Sequence, residues 1–262
     1  MTSNWSEEFP LNPETRSGAV NRAESDIDVV IRDRFFPRTA SGLFVEVGAA
    51  RPDFLSISAL YRSLGWKVLS IEPNPSYAPI YADRGLEVLP YACGPEDKDD
   101  VDFCVVDSHG ATYEGGQVSF EAWSSFSIKP DYANLNPDLD VSHIKVAMRR
   151  LDTIMQNHAP GVGAFDIISI DVEGWELEVL DGLTFSKHPP KVLVIENLFL
   201  EERYRNYMRT RGYILWRCLP PNEIYIRDGM IGSAERVTCS LMNAVVTSAW
   251  RARKAIRKLV KG

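Results

Sequence analysis

The stretch FVEVGAARPDFLSI, residues 44–57, decides the fold. Its first half is a short apolar run, typical of a strand buried in a sheet, and a helix-like pattern follows from residue 52 onward. Between them, Gly48, Ala49 and Ala50 remove almost all side-chain volume, which allows another group to approach the backbone closely. Glu46 places a carboxylate near the end of the same strand.

Strand and helix patterns of this kind alternate along most of the chain. The predicted strands lie at residues 42–48, 66–73, 86–94, 101–106, 143–148, 165–171 and 191–198. Apolar strands separated by helical segments are typical of a parallel sheet covered on both faces. Residues 213–228 then read as two strands joined by Pro-Pro-Asn, which predicts an antiparallel hairpin. We therefore predict an α/β fold with a doubly wound, mostly parallel sheet that ends in a C-terminal antiparallel hairpin.

The chain divides into three predicted regions. Residues 1–40 form an N-terminal arm and helix, residues 41–230 form the main domain, and residues 231–262 form a basic amphipathic tail. Within the main domain, residues 107–142 are rich in Gly, Ser, Asn, Pro and aromatic residues without a clear period. Long irregular insertions in compact domains are usually functional or disordered, and the aromatics here favour a substrate lid.

Composition excludes several classes of protein. The formal net charge of −7 argues against a nucleic-acid binder, and four widely separated cysteines support neither a disulfide framework nor a zinc site. No apolar run reaches the length of a membrane span, so we expect a cytoplasmic protein. Residues 246–262 nevertheless hold six Lys or Arg and no acid. Such a helix either contacts an anionic membrane surface peripherally or packs, solvated, on the acidic body.

Acidic residues end several of the predicted strands, at the sheet edge where ligands bind in open parallel sheets. These residues are Glu46, Glu72, Asp171 and Glu196. A nicotinamide dinucleotide requires a GxGxxG turn for its pyrophosphate, whereas GAARPD lacks the later glycines and brings in an acid. S-adenosylmethionine carries a sulfonium, an amino group and a ribose diol but no phosphate. It therefore fits better, with Glu46 near its positive charge and Glu72 on its ribose.

Five motifs, in order, resemble those of the FkbM-type S-adenosylmethionine-dependent methyltransferases. They are FVEVGA (44–49), SIEPNP (70–75), LDT (151–153), IDVEGWELEVLDG (170–182) and VLVIE (192–196). The resemblance covers about residues 42–228. It implies a class I (Rossmann-like) methyltransferase fold with a seven-stranded sheet and, most often, O-methylation of sugars, glycans or polyketide-like natural products. The expected cofactor-binding residues are Glu46, Gly48, Ala49, Ser56, Glu72, Asn74, Cys93 and Asp171.

Methyl transfer to a hydroxyl needs in-line alignment and removal of the hydroxyl proton. The candidate catalytic residues are Asp171, Glu173 and His143. Alternatively, a metal ion acidifies the hydroxyl, and Asp171, Glu196 and Asn197 offer oxygen ligands suited to Mg²⁺. A similar arrangement of acids and amide occurs in metal-dependent catechol-type O-methyltransferases.

Purely structural roles for the same residues are also compatible with the sequence. Asp171 and Glu173 precede a helical segment and would complement its dipole, and Glu196 would pair with Arg203. At the level of function, the expected partner is a small-molecule or glycan substrate. The alternatives to O-methylation are N-methylation or carboxyl methylation, or a noncatalytic binding protein that keeps the fold. The sequence predicts no oligomeric state.

Overall fold

The computed structural model describes residues 23–52, 54–107, 112–113, 118–119, 124–127 and 140–261. Its α-helices are α1 (Ile27–Phe35), α2 (Ser58–Ser63), α3 (Ala78–Ala82), α4 (Leu151–His158), α5 (Glu176–Asp181), α6 (Glu202–Thr210) and α7 (Ser233–Lys261). Its strands are β1 (Leu43–Val47), β2 (Lys67–Ile71), β3 (Tyr91–Cys93), β4 (Lys98–Asp107), β5 (Thr112–Tyr113), β6 (Val118–Ser119), β7 (Asp140–Arg149), β8 (Ile167–Ile170), β9 (Val192–Glu196), β10 (Tyr213–Leu219) and β11 (Asn222–Arg227). The predicted arm up to residue 22 and most of the predicted lid lie outside the described residues.

The central sheet has six strands in the order β10-β11-β9-β8-β1-β2. The four strands β9, β8, β1 and β2 pair in parallel, while β11 is antiparallel to β9 and β10 is antiparallel to β11. The α/β class and the C-terminal hairpin are as predicted from the sequence. Parallel pairing brings the carboxyl ends of four strands to one edge of the sheet.

A seventh strand in the same sheet was expected, and the structure differs there. Residue Leu89 makes a single parallel bridge to Ile71 of β2, and the next residue is Pro90. Proline has no N–H to donate to a ladder, so pairing with β2 stops at that bridge. The strand β3 instead pairs in parallel with β7, in a separate sheet of order β3-β7-β4.

The strands β4 and β7 form a long antiparallel ribbon in this second sheet. Each is ten residues long, more than the six residues predicted for each from the sequence. Their far ends, Asp107 and Asp140, pair directly with each other. The predicted insertion therefore emerges from the tip of this ribbon, and its described part includes the short β5-β6 pair.

Apolar packing covers both faces of the central sheet. Strand β1 is buried throughout, with Val45 and Val47 packed towards α4 and α5 and Phe44 packed towards α1 and α2. Because strand side chains alternate, Glu46 falls on the same face as Phe44. The helix predicted from residue 52 begins only at Ser58, so the loop after β1 is longer than expected.

The C-terminal segment is a single helix, α7, that packs along the edge strand β10. Its buried face is largely polar, since Asn243 and Thr247 lie there with Cys239. The Asn243 side chain accepts a hydrogen bond from the backbone N of Cys218 at 2.9 Å and donates to the carbonyl of Leu215 at 3.1 Å. Within the described ranges, no helix has both the length and the apolarity to span a bilayer.

Asp28 of α1 is a buried charge in the layer that covers β1. Its side chain is fully buried, and its Oδ1 accepts a hydrogen bond from the backbone N of Val29 at 2.9 Å. Among the described residues, its Oδ2 has no hydrogen-bond partner. Burial raises the pKa of Asp28 from 3.8 to about 6. Between these two values the native state binds more protons than the unfolded state, so stability falls as pH rises through this window.

We predict that Asp28→Asn stabilises the protein near neutral pH. The variant keeps the acceptor for Val29 and removes the buried charge, so the free energy of unfolding at about pH 7.5 rises by about 1–3 kcal/mol. The advantage disappears near pH 4, where the wild-type carboxyl is also neutral in the native state. Urea unfolding at both pH values checks this, with Asp33→Asn on the exposed face of α1 as control. An advantage that is the same at both pH values contradicts it.

Candidate active site

A cavity of about 720 Å³ lies at the carboxyl ends of the four parallel strands. Its size is typical of small-molecule sites, and its position is where open α/β sheets bind ligands. Among the described residues that line it, Arg51 is the only Lys or Arg. The acidic side chains lining it are Glu24, Glu46, Glu72, Asp107, Asp171, Glu173 and Glu196. Such a cavity favours a positively charged ligand over a polyphosphate.

The carboxylate of Glu46 is held by residues that lead into α2. Ser58 donates to it from its hydroxyl at 2.6 Å and from its backbone N at 3.2 Å, and the Ser56 hydroxyl donates at 3.1 Å. Arg62 donates to the hydroxyls of both Ser58 and Ser70. Burial raises the pKa of Glu46, and the bonds from Ser58 oppose that rise. Glu46 thus anchors the loop after β1, and the predicted residue Ser56 is part of that anchor as well as of the cavity lining.

The bend after β1 requires a glycine at position 48. Its φ is +74°, and a Cβ there would lie 1.8 Å from the backbone oxygen of Asp171. The backbone N atoms of Gly48 and Ala49 both donate to the carbonyl of Ile71, at 3.0 and 3.1 Å. Position 48 therefore has to be glycine because it packs against the backbone at the end of β8. The same bend lines the cavity.

Glu72 connects the loops that follow β1 and β2. Its Oε1 accepts from the backbone N of Asn74 at 2.8 Å, and its Oε2 accepts from the backbone N of Ala50 at 3.1 Å. Burial raises the pKa of Glu72 to about 7. Because each carboxylate oxygen has more than one lone pair, Glu72 is also able to accept hydroxyl donors from a ligand in the cavity.

Three carboxylates converge on one side of the cavity. Asp171, Glu173 and Glu196 each offer an oxygen within 4.8 Å of the others. Asp171 lies deep in the protein with its side chain open to the cavity, and burial, followed by the charge of Glu176, raises its pKa to about 7. Burial and the charge of Asp171 raise the pKa of Glu173 further above its ordinary value. Among the described residues, the Glu173 side chain has no hydrogen-bond donor.

A left-handed turn directs Glu173 towards this cluster. The φ angles of Glu173 and Gly174 are +58° and +94°. Glu176 stabilises the turn, since its Oε1 accepts from the backbone N of Gly174 at 2.8 Å and its Oε2 accepts from the Tyr204 hydroxyl at 2.6 Å. Glu176, in the first turn of α5, thus holds the turn that precedes the helix. Sequence reasoning missed Glu176, although an acid directly after Gly-Trp in the first helical turn was a usable signal.

Asn197 does not join the acidic cluster. Its Oδ1 accepts from the backbone N of Glu201 at 2.8 Å, and its Nδ2 donates to the buried carboxylate of Glu223 at 3.0 Å. Asn197 also does not line the cavity, so of the three predicted metal ligands only Asp171 and Glu196 lie in the carboxylate cluster, where Glu173 is the third member. Arg203, the expected partner of Glu196, instead pairs with Glu201 at 2.8 Å.

Of three other predicted residues, one lines the cavity and two do not. Asn74 does not line the cavity, because its Oδ1 caps the following turn by accepting from the backbone N of Ser76 at 3.1 Å. His143 is exposed on β7 and is absent from the lining, whereas its neighbour Ser142 is present, so His143 is not placed as a base. Cys93 lines the cavity, and burial raises the pKa of its thiol.

Aromatic side chains form part of the cavity wall. Phe126, from the predicted lid, packs edge-on against Trp175 with ring centroids 5.5 Å apart and lies 6.1 Å from Phe103. Trp250 of α7 also lines the cavity. The predicted tail therefore contributes to the site, which sequence reasoning did not foresee.

We predict that Gly48→Ala is far more damaging than an alanine at another glycine of similar backbone conformation. Gly65 has a φ of +83° with nothing within 4 Å of a built Cβ, whereas Gly48 meets the Asp171 carbonyl. We expect Gly65→Ala to lower the free energy of unfolding by about 1 kcal/mol and Gly48→Ala to lower it by about 3 kcal/mol or more. Urea unfolding of both variants measures this. Equal losses would contradict the contact with Asp171.

The sequence and the structure were also compared with known proteins. A search of curated proteins returned no match. Among solved structures, the chain is similar to a precorrin-6y C5,15-methyltransferase from Geobacter metallireducens GS-15, at 11% identity and a TM-score of 0.36, over 84% of this chain and 91% of that one. The profile of the Methyltransferase FkbM domain matches residues 46–215, which is more than half of the 262 residues. The chain thus belongs to the FkbM methyltransferase family and is an S-adenosylmethionine-dependent methyltransferase.

Proposed function

We propose that this methyltransferase acts on a hydroxyl group of a sugar, glycan or polyketide-like natural product. The observation that carries the proposal is the acidic cavity, in which Glu72 and the cluster of Asp171, Glu173 and Glu196 line one space. S-adenosylmethionine supplies an electrophilic methyl group on a sulfonium when it is bound. The residues around the cavity then have to hold the donor, align the acceptor and take up a proton.

The donor would occupy the side of the cavity formed by the loops after β1 and β2. Glu72 would accept hydrogen bonds from the ribose hydroxyls through the lone pairs that its bonds to the backbone N of Ala50 and Asn74 leave available. Gly48 and Ala49 leave room beside the strand ends. The anchored carboxylate of Glu46 adds negative charge near the positively charged part of the donor.

Charge and shape favour a neutral hydroxyl acceptor over a carboxylate. An acceptor carboxylate would meet seven acidic side chains and, among the described lining residues, Arg51 as the only Lys or Arg. The aromatic wall of Phe103, Phe126 and Trp250 suits the C–H face of a sugar ring or an apolar aglycone. These features support a neutral polyhydroxylated or polyketide-like acceptor.

The reaction requires a group that takes the hydroxyl proton. When a bound donor transfers its methyl group to the acceptor oxygen, a carboxylate of the cluster would take up the hydroxyl proton. Asp171, with a pKa raised to about 7 by burial, is suited to that role near neutral pH. Its backbone is fixed by the bond from its N to the Val47 carbonyl at 3.1 Å.

As an alternative to a base, the same three carboxylates would hold a divalent cation such as Mg²⁺, and Asp171 would then be a ligand rather than the proton acceptor. Hard cations prefer carboxylate oxygens, and Glu173 is buried with no donor among the described residues to balance its charge. Asp171, Glu173 and Glu196 would hold the ion. A bound cation would acidify an acceptor hydroxyl beside it.

We predict that Glu72→Gln weakens binding of S-adenosylhomocysteine about 10- to 100-fold, because a charge-assisted hydrogen bond is lost. Titration calorimetry measures the affinity. The control Glu87→Gln changes an exposed acid between β2 and β3 and should leave the affinity unchanged. Equal affinities of wild type and Glu72→Gln would overturn the placement of the ribose.

We predict that the wild-type chain binds one Mn²⁺ and that Glu173→Gln weakens this binding about tenfold or more. Electron paramagnetic resonance of free Mn²⁺ measures it, with Glu87→Gln again as control. Absence of Mn²⁺ binding to the wild type, with and without S-adenosylhomocysteine, would refute the cation site. The proposal that Glu72 binds the methyl donor is tested separately by calorimetry, so a negative Mn²⁺ result would not affect it.

The bond formed identifies the acceptor group. With a ¹³C-methyl donor and a panel of sugars, glycans and polyketide alcohols, we expect a labelled methyl ether that resists mild alkali. A product that loses its label in alkali would be a methyl ester and would replace the proposal with carboxyl methylation. A label attached to nitrogen would replace it with N-methylation.

A further inference from the structure

The outward face of α7 is apolar, which is unusual for a helix packed on a protein surface. Val237, Leu241 and Val245 recur every four residues and are 60, 64 and 69% exposed, and Met242 beside them is 46% exposed. These are the four most exposed large hydrophobic side chains in the described part of the chain. The other exposed ones, such as Leu64, are isolated residues elsewhere in the chain.

The inward face of the same helix explains why its apolar face is turned outwards. Asn243 binds the backbone of β10, and Thr247 accepts a hydrogen bond from Arg205 at 2.9 Å. Arg251, near the end of the described side chains, donates to the carbonyl of Leu200 at 3.1 Å. The helix is thus attached to the body through polar groups, and rotation to bury Leu241 would break these bonds.

We propose that α7 docks this enzyme on an anionic membrane surface through the apolar face formed by Val237, Leu241, Met242 and Val245. The charge of the chain supports this partner. The same helix continues to Lys261, and residues 246–262 of the sequence carry six Lys or Arg and no acid, while the whole chain carries a net charge of −7. An apolar helix face next to a cationic segment is the combination that binds anionic lipid interfaces.

A second copy of the chain is the competing occupant. Parallel packing of two copies through this face would bring two clusters of six cations together and be opposed by their repulsion. An anionic bilayer would bury the apolar side chains among its lipids and would also neutralise the cations with its headgroups. The membrane therefore satisfies both properties of the helix.

Docking through α7 would also hold the active-site cavity at a defined distance from the membrane. Trp250 of α7 lines the cavity, and the exposed apolar side chains lie on the outer side of the helix. The cavity would then lie about one helix diameter, roughly 10 Å, from the lipid headgroups.

Flotation of the full chain with lipid vesicles tests the proposal. We expect binding to vesicles of phosphatidylcholine with phosphatidylglycerol and little binding to phosphatidylcholine alone. Leu241→Ser with Val245→Ser should lower the partition coefficient about tenfold or more. Gln at Arg253, Lys254, Arg257 and Lys258 should lower it roughly a thousandfold, at about 1 kcal/mol for each cation. The matched control Leu64→Ser, which changes an exposed leucine directly after α2, should bind as wild type.

Two measurements keep the outcomes distinct. Circular dichroism and urea unfolding establish that each variant is folded, and light scattering with size-exclusion chromatography gives the oligomeric state. Unchanged flotation of the folded Leu241/Val245 variant overturns the proposal. So does a wild-type dimer that becomes monomeric in that variant while no form binds vesicles, since α7 would then join two copies.

Discussion

The close contact between the bend at Gly48 and the backbone of Asp171 is the constraint on which the site depends. It joins the carboxyl end of β1 to that of β8 with no side chain between them. The bend also hydrogen-bonds to the end of β2 through Ile71, so three strand ends are held together by backbone atoms. As a result, Glu72 on one side and Asp171 on the other are positioned by main-chain geometry rather than by flexible side chains.

The site concentrates negative charge that burial makes costly. Burial raises the pKa values of Glu46, Glu72, Asp171, Glu173 and Glu176, so each of these groups resists ionisation in the folded chain. The protein offsets part of this cost locally, with hydroxyl and backbone donors on Glu46 and Glu176. Glu173 receives no such donor among the described residues. A cationic ligand would offset the rest, and the folded state would then be stabilised by the ligand it binds.

Local sequence patterns predicted the α/β fold, the hairpin and the acids at the strand ends. These features depend on neighbours in the chain, such as Glu46 following an apolar run and the Pro-Pro-Asn turn at residues 220–222. Patterns failed where partners are distant in sequence. The third strand leaves β2 at Pro90, but its new partner β7 lies far along the chain. The side chain of Asn197 binds Glu223, 26 residues away. The role of Glu176 likewise depends on Tyr204, 28 residues away.

The attachment of Asn243 to Cys218 and Leu215 has a consequence for how the sheet is protected. Strand β10 is the last strand of the central sheet, and its outer backbone groups would otherwise be open to pairing with another chain. Asn243 occupies two of them with one side chain. The C-terminal helix therefore also protects the sheet against edge-to-edge aggregation. Shortening the chain before residue 243 would leave backbone groups of β10 free to pair with another chain.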